Sequence, residues 1–156
     1  MSVNYSRWIR SYVGHQRILQ LRACGFIRDE AGRILLCRRA DVMLWDLPGG
    51  TIELNETPAQ GLIREVREET GLHIEPRHVI GVYAGHDFEW TYPNGDQAQI
   101  VSLFFSCAIV GGVLESRSKE LVNVAFFAEN ALPALLPRAV RMVQDAFVGA
   151  EAAHFD

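Results

Sequence analysis

Between Gly50 and Leu72 runs GTIELNETPAQGLIREVREETGL, a stretch that specifies a helix, both of its ends and an unusual charge placement. Thr57 suits the N-cap, Pro58 the first helical position, and Gln60 completes a capping box. Gly71 suits the left-handed residue that ends a helix, with Leu72 folding back onto the last turn. Ala59, Leu62, Ile63, Val66 and Thr70 share one stripe at helical spacing, which predicts a core-facing side. Glu65, Glu68 and Glu69 stand three and four apart in the final turns, where backbone carbonyls already form the negative end of the helix dipole. Repulsion at this spacing costs about 0.2–0.5 kcal/mol per pair. The dipole adds roughly 0.3–1 kcal/mol per terminal charge. A helix shaped by stability alone would carry Lys or Arg here. Two readings follow: a bound cation completes the cluster, or this is a solvated acidic face with Arg64 and Arg67 as ordinary helix partners.

If a cation binds, clustered carboxylates without His or Cys are hard oxygen donors that favour Mg²⁺ or Mn²⁺ over zinc. Mg²⁺ keeps several waters and shares its shell with substrate phosphates. The chemistry implied is water attack at a phosphorus centre. Arg64, beside Glu65, has the planar fork to steer a carboxylate or meet a phosphate.

The rest of the chain fits one domain over residues 1–156, 49% apolar and 22% charged, so a sizeable core is affordable. Fifteen Lys+Arg against nineteen Asp+Glu leave a net charge of −4, which argues against gripping long nucleic acid. Small phosphorylated substrates stay compatible, because a bound cation reverses the local field. The near-apolar run 101–114 is too short and broken to cross a bilayer, and Arg7 and Arg10 have no apolar stretch behind them to make a signal peptide. Cys24, Cys37 and Cys107 form no C-x-x-C pair and read as reduced thiols, mostly buried in strands, which makes the cytoplasm the default compartment.

Periodicity and turn residues predict a helical N-terminal extension within 1–17, its helix over 5–13 having Trp8, Ile9, Tyr12 and Val13 on one face. Strands are predicted over 18–28, 33–38, 78–91, 97–110 and 121–127, with a short extended piece at 44–47. Asn94-Gly95 signals a hairpin, Gly111-Gly112 a further turn, and 137–150 a closing helix. Strands interrupted by one helix and ended by another predict an α/β (α+β) fold: a mixed sheet with helices packed on it.

The stretch 50–72 resembles the Nudix box, G-x5-E-x7-R-E-U-x-E-E-x-G-U with U a bulky aliphatic. Gly50, Glu56, Arg64, Glu65, Val66, Glu68, Glu69, Gly71 and Leu72 fill every specified position. The resemblance implies an α/β/α sandwich with the box helix packed on a mixed sheet. It also implies metal-dependent hydrolysis of a phosphoanhydride in a nucleoside diphosphate linked to another group. By position, Glu65 and Glu69 are the implied direct metal ligands, with Glu68 a further ligand or acting through bound water. The Gly49 carbonyl is an additional ligand, Glu56 has a supporting electrostatic part, and Arg64 orients the carboxylates. The cofactor implied is Mg²⁺ or Mn²⁺.

Members of this family take the general base from the box or from a loop after the long strands. Box-based water activation through Glu68 and Glu65 is expected first and Glu120 second; Glu115 lies in the same region. Trp45, Trp90 and Arg39 are the substrate-binding candidates, with Phe88 and Tyr92 joining Trp90 as aromatics near the hairpin, although these three alternate in a way that also fits cross-strand packing. His86 beside Asp87 could line a pocket. The Leu47-Pro48-Gly49-Gly50 lead-in and compact length look like the general mutator-type members, which act on nucleoside triphosphates and related compounds. The expected partner is a small nucleotide, with no membrane or long nucleic acid, and the family admits a homodimer. Two alternatives stay open: a nucleotide-sensing module on the same fold, and a di-iron helical protein, which would need Glu-x-x-His repeats this chain lacks.

Overall fold

The computed structural model describes residues 4–155. In chain order the elements are α1 (Tyr5–Val13), β1 (Ile18–Ile27), β2 (Ile34–Arg39), β3 (Trp45–Asp46), β4 (Gly49–Thr51), α2 (Pro58–Thr70) and β5 (Leu72–Tyr83). There follow β6 (Glu89–Thr91), β7 (Gln97–Gly112), β8 (Leu121–Phe127), α3 (Pro137–Val148) and β9 (His154–Phe155). The larger sheet is mixed and runs β4-β1-β7-β5-β9, with β6 also paired to β7; a three-stranded sheet runs β3-β2-β8. β1 and β7 lie parallel along Ile18–Ile27, whereas β5 pairs antiparallel with the other edge of β7.

Side-chain alternation along β1 and β7 divides the core in two. Cys24, Phe26, Ile100 and Phe104 join Tyr83, Met142 and Val143 in one cluster, which brings in α3. Ala23, Ile27, Phe105 and Cys107 join Leu62 and Val66 in the other, which brings in α2. One helix on each face of a sheet is the α/β/α arrangement expected. All three cysteines are buried and free. Burial raises the Cys24 thiol to about 11 and Cys107 to about 12, so neither is a ready nucleophile.

Helix α2 begins where its residues predict. The Thr57 hydroxyl accepts from the Gln60 N–H at 3.2 Å, and the Gln60 side chain accepts from the Thr57 N–H at 2.8 Å. Gly71 closes the helix in the left-handed region at φ 74°. Its buried arc differs from the predicted stripe: Gly61, Leu62, Val66 and Thr70 are buried, while Ile63 is 38% exposed. The helix is therefore rotated toward Gly61, whose lack of a side chain admits the Ile52 backbone and the Glu56 carboxylate. Thr57→Ala removes one half of the capping box and is expected to lower stability by about 1 kcal/mol in urea unfolding.

Three other expectations need correction. The strand predicted over 78–91 starts at Leu72 and ends at Tyr83; Gly85, at φ 90°, turns the chain into a 3₁₀ turn at His86–Phe88 before β6. Phe88 therefore sits in that turn, 6.1 Å from the Tyr83 ring, rather than on one strand face with Trp90 and Tyr92. Gly111-Gly112 is no turn: β7 continues through it, and Leu72 pairs with Gly112. A Cβ on Gly112 would lie 2.3 Å from the Gly71 carbonyl oxygen, so glycine is needed there for close strand approach. Helix α1 buries none of its residues: Trp8 is 44% and Tyr12 72% exposed. Its apolar stripe does not enter the core, and polar contacts hold it instead. Among the described residues no helix is long and apolar enough to cross a membrane.

Candidate active site

The last turns of α2 open onto a cleft of roughly 830 Å³. Glu65, Glu68, Glu69 and Arg64 border it from the helix, and Gly49, Gly50 and Thr51 from β4. The two elements meet closely because of glycine. A Cβ on Gly50 would stand 2.5 Å from the Glu65 carboxylate carbon, and one on Gly49 would stand 2.2 Å from the Ala23 carbonyl oxygen. Gly50→Ala is thus expected to displace Glu65 and to lower turnover at least tenfold while leaving the helix formed, as steady-state rates and far-UV circular dichroism would show.

Burial sets the electrostatics. Glu69 accepts from the Gly49 N–H at 2.9 Å, and desolvation raises its carboxyl to about 8 despite that bond and the nearby Arg22. Desolvation also raises Glu65, although Arg64 opposes the shift. Arg64 organises the acidic side chains. It donates from Nε and Nη2 to both Glu56 oxygens at 2.6 and 2.9 Å, and from Nη1 to Glu65 at 2.8 Å. Nη1 also lies 3.5 Å from Glu68, and Nη2 donates to the Thr51 carbonyl at 3.1 Å. These hydrogen bonds hold the Glu56 carboxyl below its usual range.

Below this layer is a second charged group. Asp46 is 3% exposed and meets Arg22 Nη1 at 3.1 Å and Arg138 Nη2 at 2.6 Å. Arg22 also donates to the Leu47 carbonyl at 2.9 Å and reaches the Gly49 carbonyl at 3.4 Å, which ties the floor of the cleft to the core.

The donor set, three carboxylates and a backbone carbonyl, suits a hard divalent cation. Among the described residues no three such side chains converge on one point as they stand, because Arg64 lies between Glu65 and Glu68. Glu68 is the exposed member of the set, with a side chain 61% accessible.

Other sequence candidates divide by position. Glu120 and Arg39 also border the cleft; Arg39 is held by Asp41 through contacts of 2.9 and 2.7 Å. The Ala40 N–H donates to the Glu120 carbonyl at 2.8 Å, which keeps the two neighbours together. Glu115 lies outside the lining and pairs with Arg117 at 3.0 Å. Trp45 and Trp90, expected to meet substrate, are not among the lining residues. Trp45 packs edge-on to Phe127 with ring centroids 4.7 Å apart, and Trp90 sits 5.1 Å from the Arg138 guanidinium against the core. Trp90 thus follows the packing alternative, and Trp45 packs against the same core cluster. His86 is exposed and lies 3.5 Å from Glu89, away from the cleft. Tyr92, an aromatic candidate alongside Phe88 and Trp90, borders the cleft, and Asn94, Asp96, Gln20 and four residues of 4–10 complete the wall without having been expected there. They come from distant parts of the chain, and no local spacing joins them.

A model of the NUDIX domain matches residues 18–146. The chain belongs to the Nudix family. It is 42% identical over 102 residues to a MutT-like protein of Streptomyces ambofaciens, covering 65% of this chain and 59% of that one. It is 30% identical over 122 residues to an ADP-ribose pyrophosphatase of Methanocaldococcus jannaschii, covering 76% and 68%. The chain thus spans about three-fifths to two-thirds of the length of these relatives. A crystal structure of a MutT protein from Methanosarcina mazei superposes with a TM-score of 0.68 at 24% identity, over 85% of this chain and 95% of that one, a likeness of fold. The Nudix box thus lies within the matched segment, and its helix is the one that carries the acidic wall of the cleft.

Proposed function

We propose that this Nudix protein is a hydrolase of small nucleotides, cleaving a phosphoanhydride bond of a nucleoside diphosphate linked to another group by water attack, with Mg²⁺ or Mn²⁺ as cofactor. The observation that carries this is the half-buried pair Glu65 and Glu69, brought from α2 to the start of β4 at the acidic wall of the cleft. Glu65, Glu69, Glu68 and the Gly49 carbonyl are the residues that would hold the ion. When bound, it neutralises the diphosphate and makes the attacking water more acidic. Arg64 keeps Glu65 and Glu56 in register. Glu68 is the first candidate to take the proton of the attacking water, with Glu65 beside it and Glu120, which borders the same cleft, as the second choice. Arg39 borders the same space, but Asp41 holds its guanidinium, so its part in binding substrate is secondary. A reducing compartment such as the cytoplasm suits three buried free thiols.

The test is phosphate and pyrophosphate release with Mg²⁺ and with Mn²⁺ over nucleoside triphosphates, nucleotide sugars, dinucleoside polyphosphates and dinucleotide cofactors. Turnover of at least one class, abolished by chelation, is the expected result. Tight nucleotide uptake without any turnover would instead support a sensing module on the same fold.

A further inference from the structure

Helix α1 lies outside the segment matched to the NUDIX domain, which begins at residue 18, yet it forms part of the cleft wall. Asn4, Arg7 and Arg10 follow one another at three-residue steps, so they share a side of the helix, and all three border the cleft. The helix is braced at both ends. At its start the Tyr5 N–H donates to the Glu53 carboxylate, in the loop that leads into α2. At its end Arg10 donates to the carbonyls of Gly14, Gln16 and Gln97, and its Nε lies 3.6 Å from Asp96. Asp96 in turn meets His15 Nδ1 at 2.7 Å and accepts from Asn94 Nδ2 at 3.0 Å. The Tyr92–Asp96 turn is thereby clasped to the helix, and α1 bridges the box loop and the β6–β7 hairpin.

The arginines around this cleft are committed within the protein, with one exception. Arg10 serves the clasp, Arg22 meets Asp46, Arg39 meets Asp41, and Arg64 meets Glu56 and Glu65. The Arg7 guanidinium has no partner among the described residues, although its backbone N–H is engaged by the Asn4 cap. An uncommitted guanidinium on a braced helix, facing a space with an acidic wall, is suited to an anion that enters that space.

We propose that Arg7 is a substrate-binding residue of this protein, donating to a phosphate oxygen of a nucleoside diphosphate in the cleft. The proposal rests on the cleft being a nucleotide site. It assigns α1 to substrate recognition, where it supplies a positive charge that the matched domain leaves committed elsewhere.

The test is calorimetric titration of the full chain with ADP and Mg²⁺. Arg7→Gln is expected to weaken ADP binding by about tenfold or more, the range for a hydrogen bond to a charged group. Arg7→Lys keeps the charge but not the fork, and is expected to fall between wild type and Arg7→Gln. Tyr12→Ala, on an outward side chain 72% exposed, is expected to bind as wild type and controls for loosening of the helix. Arg7→Gln affinity within twofold of wild type overturns the proposal, as does equal weakening by Tyr12→Ala or no ADP uptake by the wild type. Should Arg7→Gln fail to fold, Arg7→Lys decides by the same twofold limit. Uptake of ADP with the expected Arg7 dependence but no hydrolysis of any nucleotide overturns the hydrolase reading and leaves Arg7 in place. Hydrolysis whose KM is unchanged in Arg7→Gln overturns Arg7 alone.

Discussion

Glu69→Gln is expected to reduce metal-dependent turnover by about 10²–10³-fold, the size that loss of one preorganised electrostatic group produces. The amide has nearly the shape of the carboxylate, and its oxygen can still accept from the Gly49 N–H, so the β4–α2 junction stays closed. What disappears is a negative charge in a site where burial already works against it. The folded protein without added metal should therefore be no less stable than wild type. Steady-state phosphate release with Mg²⁺, alongside thermal unfolding, reads both effects. A variant with full activity would remove Glu69 from the proposed ligand set, and a variant that loses its fold would assign the residue to architecture.

The second large effect belongs to stability. Asp46→Asn should destabilise the protein by about 3–5 kcal/mol, the cost of leaving buried charges without their partner. Two guanidinium groups depend on this carboxylate, at 3.1 and 2.6 Å, and the Arg22 Nε already lacks an acceptor among the described residues. Burial pushes the Asp46 carboxyl up, but Arg22 and Arg138 outweigh it and hold it down to about 2. A depressed carboxylate contributes stability that is present above its unfolded value, about 3.9, and is lost as pH falls toward the folded one. Urea unfolding should show wild type losing this contribution below about pH 4, and Asp46→Asn lacking it throughout. Because Arg22 also reaches the Leu47 and Gly49 carbonyls, the substitution should lower turnover as well. A stability change under about 1 kcal/mol would contradict the reading of this group as a closed charge network.

Local structure in this chain was legible wherever the responsible groups are neighbours in sequence. The start of α2 at Pro58 and its end at Gly71 follow from a capping box and a left-handed glycine, interactions that span a few residues. The β8 and α1 ranges follow from periodicity in the same way. Local signals were ambiguous where a residue has two physical uses. Gly111-Gly112 carries the signature of a turn, but the same lack of a side chain also permits the close pass of β7 against Leu72. Trp45 and Trp90 have aromatic faces suited to a nucleobase, and equally suited to Phe127 and Arg138.

The sequence by itself determined the acidic helix, its caps and its charge pattern, because an α-helix places residues three and four apart on one side whatever surrounds it. Only the tertiary structure decided which of those carboxylates are desolvated, since that depends on β4 and β1 packing against α2 beside Glu65 and Glu69. It also decided what shares the cleft with them. Arg7, Tyr92, Arg39 and Glu120 reach one cleft from separate stretches of chain, and the contacts that bring them there are made by sheet pairing and by the Arg10–Asp96 clasp. Such long-range placement follows from how all the layers pack together, a collective outcome that no single segment encodes.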